Sequence, residues 1–443
     1  MNDPDRATAC QLLRRLREQR GWSWADQARA LQAVAERLGV TAVTLTRPVS
    51  LQRTIARWES TAARTVPGER YQLLLAHLYA RSGSGELTLG AGSDLDALLT
   101  ALAHLGVPAR RTRELRDLVL RSTSGGHGQL LALLTDPTCQ LVGEALRDSR
   151  RLDIDLIALL RAAVSDVDHQ IGSISFAHLQ LLLAPIAEVC QRLRGSEPLR
   201  EHLAAVRSEA YLLAGRIAFE TRDDAVARYW YTQAIKASSD LSDPTRRAVV
   251  HTSFAMTILH SVGAGAARAI VDAAVADAKF GSEPRVRARA HALQAEVAAR
   301  SGRARDMVAA LRLAWLDIGT GTSPSGGFDS DRLCGFEGVC ELHVGTAERA
   351  HEHLERSLAA LIAPRDQVQR GIAGTDLAIA RVRCGDVRSA TTLLHECVET
   401  IAATRGRVAA QRIGRARREL APWRTESFVA ELDDHIYDVM LAI

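Results

Sequence analysis

Leucine, isoleucine and tryptophan recur at three- and four-residue intervals along most of this chain, the period of an α-helix with one face turned inward. Residues 7–20 place Leu12, Leu13 and Leu16 on one side and Arg14, Arg15, Arg17 and Arg20 elsewhere. Gly21 breaks the pattern, as a glycine just past a helix end does. Ser23 is suited to cap a second helix over residues 24–38, which stops before Gly39. A loop over residues 40–48 comes next. Ser50 is suited to cap a third helix, LQRTIARWES, in which Leu51, Ile55 and Trp58 fall at i, i+4 and i+7 and form a narrow inward stripe. Pro67 opens a fourth helix, with Tyr71, Leu74, Leu75 and Leu78 in the same arrangement.

After this head, taken as residues 1–81, the stretch 82–93 (SGSGELTLGAGS) is rich in Gly and Ser and reads as a flexible linker. Helical pieces are then expected at about 94–105, 110–121, 127–135, 137–148, 153–168 and 174–194. They form a helical middle region (94–199) of antiparallel pairs, continuous with the periodic region beyond it. From residue 200 to 443 the pattern becomes periodic. One helix carries Tyr211, Gly215 and Ala218, and the next Ala227, Tyr231 and Ala234. Equivalent anchors stand at positions 215, 255, 295, 338 and 378, in steps of 40, 40, 43 and 40 residues. Small residues at such positions let two helices approach, and the large ones fill the gap between hairpins. Residues 405–441 read as a terminal capping pair.

Composition agrees with an all-α chain too long for one core. It has 443 residues, 47% of them apolar and only 4% aromatic. Charge adds an asymmetry. Residues 1–81 hold thirteen Arg against seven Asp plus Glu, a balance of +6, whereas the whole chain carries +4, so the rest is at −2. A basic head on a slightly acidic body points to a polyanionic partner for the head. Seven scattered cysteines without a CxxC pair read as reduced buried thiols, the N-terminus is polar rather than a signal peptide, and no apolar run is long enough to span a bilayer. A cytoplasmic protein is expected.

The segments LRRLREQRGWS and VSLQRTIARWES, with a short Leu-rich helix after them, resemble the Cro/C1-type helix-turn-helix domain of the XRE regulators over residues 10–80. The stretch between the second and third helices is longer than the family's tight turn, Trp24 stands where the family carries a phosphate-contacting Gln, and Thr61 replaces its Gly. Residues 200–441 are similar to tetratricopeptide repeats with a longer period. The resemblance implies an N-terminal helix-turn-helix domain followed by an α-solenoid. It also implies a DNA-binding transcription regulator, dimeric through its repeats, like actinomycete developmental regulators and peptide-pheromone receptors. Those receptors clamp peptide backbones with asparagines, but this chain has a single Asn, Asn2.

With Leu51, Ile55 and Trp58 inward, the third helix turns Gln52, Arg53 and Arg57 outward. Gln can grip adenine and Arg guanine in bidentate fashion in the major groove, so Gln52 and Arg53 are the expected base readers. Arg57, Arg14, Arg15, Arg17 and Ser50 are the expected phosphate contacts. In the repeats Arg207, Tyr211, Arg216, Tyr229, Trp230 and His251 are candidates to hold a peptide, small molecule or protein on a concave face. No GxxxxGK[ST], GxSxG or HExxH motif is present, and Cys334, Cys340 and His343, with His351 and His353, match no structural zinc spacing. No enzyme activity, metal or cofactor is expected. The alternative reading is a tetratricopeptide-type interaction scaffold with a degenerate, non-DNA-binding head.

Overall fold

A computed structural model describes residues 3–38, 40–44, 46–63, 65–82, 87–90, 92–124, 136–320, 328–363, 366–404 and 406–441. They are helices joined by turns, with no β-strand among them. The expected helix at 127–135, residues 321–327, and residues 83–86 and 91 of the Gly/Ser stretch lie outside the described residues. No described helix is long and apolar enough to cross a membrane. The chain divides into two compact units: residues up to Arg151 with Ala184–Val189, and Leu152–Leu183 with Cys190–Leu441.

The first unit contains α1 (Asp3–Gln19), α2 (Trp24–Arg37), α3 (Thr41–Thr44), α4 (Pro48–Trp58), α5 (Glu69–Tyr79), α6 (Asp94–His104), α7 (Ala109–Ser124) and α8 (Asp136–Arg147). Gly21 takes a φ of +66°, the left-handed turn that ends α1. Ser23 then caps α2 in a reciprocal capping box with Asp26. The anticipated 40–48 loop holds the short α3, whose Val43 is buried. The third anticipated helix begins earlier than Ser50: Pro48 occupies its first turn and Arg47 its cap. Proline has no N–H to satisfy there and its fixed φ suits the start of a helix, so it outcompetes a serine cap two residues on. Helices α2, α4 and α5 pack around Leu31, Leu51, Ile55, Leu74 and Leu75, all fully buried. This unit does not end at residue 81. Helix α6 lies along α1, and Arg20 ties the two with an ion pair to Asp94 at 2.7 Å.

The second unit continues with α9 (Ile154–His169), α10 (Phe176–Arg192), α11 (Glu197–Glu220), α12 (Asp224–Ser238), α13 (Thr245–Ser261), α14 (Ala264–Phe280), α15 (Pro284–Arg300), α16 (Ala304–Thr320), α17 (Ser330–Val344), α18 (Ala347–Ala360), α19 (Gln367–Arg383), α20 (Val387–Thr404), α21 (Arg407–Glu419) and α22 (Ser427–Leu441). From α11 to α20 consecutive helices pair as hairpins through turns of two or three residues, and each pair packs on the next. The small anchors are sterically required. A Cβ on Gly215 would meet the Tyr231 ring at 2.9 Å, and one on Gly338 would meet Leu354 Cγ at 2.5 Å. Gly338→Ala should therefore lower stability by about 1–3 kcal/mol through overpacking. Gly414, mid-helix in α21 with nothing near its would-be Cβ, should gain about 0.5–1 kcal/mol as alanine. Denaturant midpoints of the two variants should move in opposite directions.

Helix α21 departs from the hairpin scheme. It packs on α19 and reaches back to the end of α11, where the Arg407 backbone N–H donates to Glu220 Oε2 at 2.6 Å and the Arg407 guanidinium pairs with Asp224. Along its length Arg412 donates to Asp376 of α19 at 2.6 Å and lies 3.7 Å from Glu296 of α15. Arg415 approaches His343 Nε2 of α17 at 3.4 Å. The result is a buried polar network in which the C-terminal ends of α11, α15 and α17 meet the middle of α19 and residues 407–415 of α21. Burial opposes the Glu296 charge, but Arg300 and Arg412 outweigh it and hold its pKa at about 2. Burial and the same arginines hold His260 and His343 at about 3, hence neutral.

Candidate nucleic-acid interface

Helix α4 is held from two sides. Beneath it Leu51, Ile55 and Trp58 are buried, and Tyr71 meets Trp58 edge-on at 5.0 Å between ring centroids. At its C-terminal end, carbonyls that no helix turn can satisfy meet a stripe of α1 residues. Cys10 Sγ donates to Trp58 O at 3.4 Å, Arg14 to Glu59 O at 3.2 Å, and Arg6 to Ser60 O and Thr61 O at 3.2 Å. Positions 6, 10 and 14 share one face of α1, and cationic groups at a helix C-terminus are favoured by its dipole.

Position 17 completes that face. Arg17 grips Glu59 with two hydrogen bonds of 2.8 Å and donates to Trp22 O at 2.8 Å. The hydrogen bonds to Glu59 raise its pKa further. Trp24 Nε1 donates to the same carboxylate at 3.1 Å. Arg17 is buried and its donors face inward, so it is not a phosphate contact; the expectation is corrected. Its period on α1 looked like a solvated charge run because the acidic partner lies 42 residues away. Arg14, though exposed, is committed to the end of α4. Ser50 is exposed on the helix rather than capping it. Trp24, which replaces a phosphate-contacting residue in the resemblance, braces Glu59 instead.

What remains outside is Arg47, Ser50, Arg53 and Arg57, all exposed at spacings of three or four residues, with Gln52 half-buried beside them. Arg15 is exposed on α1. No acidic residue lies within α4, and the nearest one downstream, Glu59, is 3% exposed and neutralised by Arg17. Arg47, Arg53 and Arg57 make no ion pair among the described residues. Arg47 was not among the expected contacts; Pro48 immediately after it was the signal, since a proline at the first helical position puts its predecessor at the exposed cap.

In the second unit the six ligand candidates do not share one pocket. Arg207 donates to Cys190 O at 2.8 Å and Leu193 O at 2.6 Å, closing the end of α10. His251 Nδ1 bonds Asp277 at 2.8 Å, a carboxylate that Arg247 also holds. Both are tied internally, Arg207 through Nε and Nη2 and His251 through Nδ1. Tyr211 is buried and lies against Trp230 at 5.2 Å with the rings tilted by 31°, and Tyr229 meets Trp230 edge-on at 5.1 Å. Of these only Tyr229 is exposed, its hydroxyl accepting from Gln191 at 3.0 Å. Arg216 has neither hydrogen bond nor salt bridge among the described residues. A separate cavity of about 510 Å³ opens between the starts of α11, α13 and α15, lined by Glu201, His202, Arg246, Val249 and Val286. Compared with known proteins, the chain matches no family model, no curated protein and no solved structure.

Proposed function

We propose that the chain is a sequence-specific DNA-binding transcriptional regulator in which α4 is the recognition helix. The observation that carries this reading is the outer face of α4. It presents Arg47, Ser50, Gln52, Arg53 and Arg57 with no carboxylate among them, on a helix anchored beneath by Leu51, Ile55 and Trp58 and behind by the α1 stripe. A face so charged and so rigidly backed suits the major groove of a duplex, where Gln52 and Arg53 meet base edges and Arg47, Ser50, Arg57 and Arg15 meet phosphates. In this reading the first unit is a helix-turn-helix of Cro/C1 type. The hairpins of the second form an α-solenoid that binds an effector or partner and joins two copies of the chain.

The double change Gln52→Ala and Arg53→Ala should weaken binding to the cognate site by about 1–3 kcal/mol per lost base contact, with the thermal melt unchanged. Arg57→Ala should weaken all duplexes alike and reduce the slope of log K against log salt by about 1. Fluorescence anisotropy over a salt series reads both. A head whose affinity for random duplex does not fall with salt is not a DNA-binding head, and the interaction-scaffold reading then takes its place.

A further inference from the structure

The fourth hairpin departs from the others at the point where its helices touch. Its contact is made by Gly338 against Leu354. The residues immediately before these two meet across the hairpin. In three of the other hairpins the equivalent positions hold Ala214 and Trp230, Phe254 and Ile270, or Leu377 and Leu393, apolar pairs that fill space, and in the remaining one Gln294 and Ala310, a single uncharged polar residue. Here they hold Glu337 and His353, with His353 Nδ1 3.4 Å from Glu337 Oε2. One turn earlier on the same face of α17 stands Cys334, 1% exposed. A ligand atom from each of the three lies within 4.8 Å of the other two.

We propose that Cys334, Glu337 and His353 form a binding site for a divalent cation of the zinc class. Thiolate, imidazole and carboxylate together are the donor set that zinc and cobalt take, and three protein ligands leave a fourth tetrahedral position for water or an exchangeable ligand. The ligands come from the two helices of one hairpin, so the close Gly338–Leu354 approach sets their separation. Tetrahedral ligation holds such atoms roughly 3.3–3.8 Å apart, so atoms standing within 4.8 Å close by at most about 1.5 Å on binding. An outer layer of support is also present: Trp315 Nε1 donates to Glu337 Oε1 at 2.8 Å, fixing that carboxylate and leaving Oε2 toward the site. The nearby Arg356 guanidinium is tied to Asp331 at 3.0 Å. A bound dication draws off the thiol proton of Cys334. Spacing along the chain hid the site because one ligand is a glutamate and another lies on the neighbouring helix. The site stands apart from the DNA-binding reading.

The test uses the full chain, stripped with a chelator and titrated with Co²⁺. One equivalent should bind, giving a thiolate-to-cobalt charge-transfer band in the near ultraviolet and tetrahedral ligand-field bands in the visible, all displaced by Zn²⁺. Cys334→Ser should abolish the charge-transfer band. His353→Gln changes a half-buried residue and leaves the core cysteine in place. It should weaken Co²⁺ binding at least about tenfold while the circular dichroism melt of the metal-free protein stays unchanged. Absence of the band in the unaltered protein, or its survival in Cys334→Ser, overturns the proposal, as does an unchanged affinity in a folded His353→Gln.

Discussion

Arg412→Met lowers the unfolding free energy of the repeat unit by about 3–5 kcal/mol at neutral pH, the cost of leaving buried charge unpaired. The arginine side chain is 7% exposed, and its partners Asp376 and Glu296 are 0% and 4% exposed. Methionine keeps much of the stem's packing but leaves two buried carboxylates with fewer counterions. Asp376 Oδ2 already lacks a hydrogen-bond partner, so no spare donor stands ready on that side. The loss should shrink on acidification. Glu296 is held at about 2 against an ordinary 4.5, so its contribution is full above pH 4.5 and disappears as pH falls through 2. His260 is held neutral, at about 3 against 6.5, so the folded state also loses stability as pH falls from 6.5 toward 3. These two signs run the same way and weaken the unaltered protein in acid; Asp376, whose pKa burial raises, works against them, more so once Arg412 is gone, so the gap to Arg412→Met narrows. Guanidinium titrations monitored by far-ultraviolet circular dichroism at pH 7 and pH 3 read this directly. Equal midpoints at pH 7 would show that the network contributes nothing.

Glu59→Ala should be as damaging to the first unit, by about 3–5 kcal/mol, for the same reason with signs exchanged. Arg17 would be left buried with its two best acceptors gone, and Trp24 would lose its hydrogen bond. The end of α4 would loosen from α1, so under the proposed function DNA affinity should fall as a secondary effect even though Glu59 is itself buried. Arg57→Ala is the contrast: an exposed residue whose removal should leave stability within about 0.5 kcal/mol while still weakening DNA binding. A Glu59→Ala protein that melts like the unaltered one would mean that Trp58 and Ile55 alone hold the helix.

The helices themselves were legible because their apolar period is strong. Leu51, Ile55 and Trp58 are all buried as spaced, and the anchors at 215 and 338 meet the partners their pattern names. Two things were not legible. Charge pairing between remote segments leaves no periodic mark, so Arg17 reads as an outward phosphate contact and nothing in the sequence singles out Arg412 with Asp376. The internal bonds of Arg207 and His251 were hidden for the same reason, since a polar residue inside a repeat looks alike whether it awaits a ligand or ties two helices. Helix starts were blurred where two signals competed, as Pro48 and Ser50 did for α4.

The bond between the Arg407 backbone and Glu220 spans 187 residues. Glu220 is buried, and that burial raises its pKa. A ribosome adding roughly 5–20 residues per second exposes α11 some 10–40 s before Arg407 emerges. Throughout that interval the nascent chain holds an acidic group whose designated donor has not been made. Until then the growing array keeps that end wet, and closing it is left to α21.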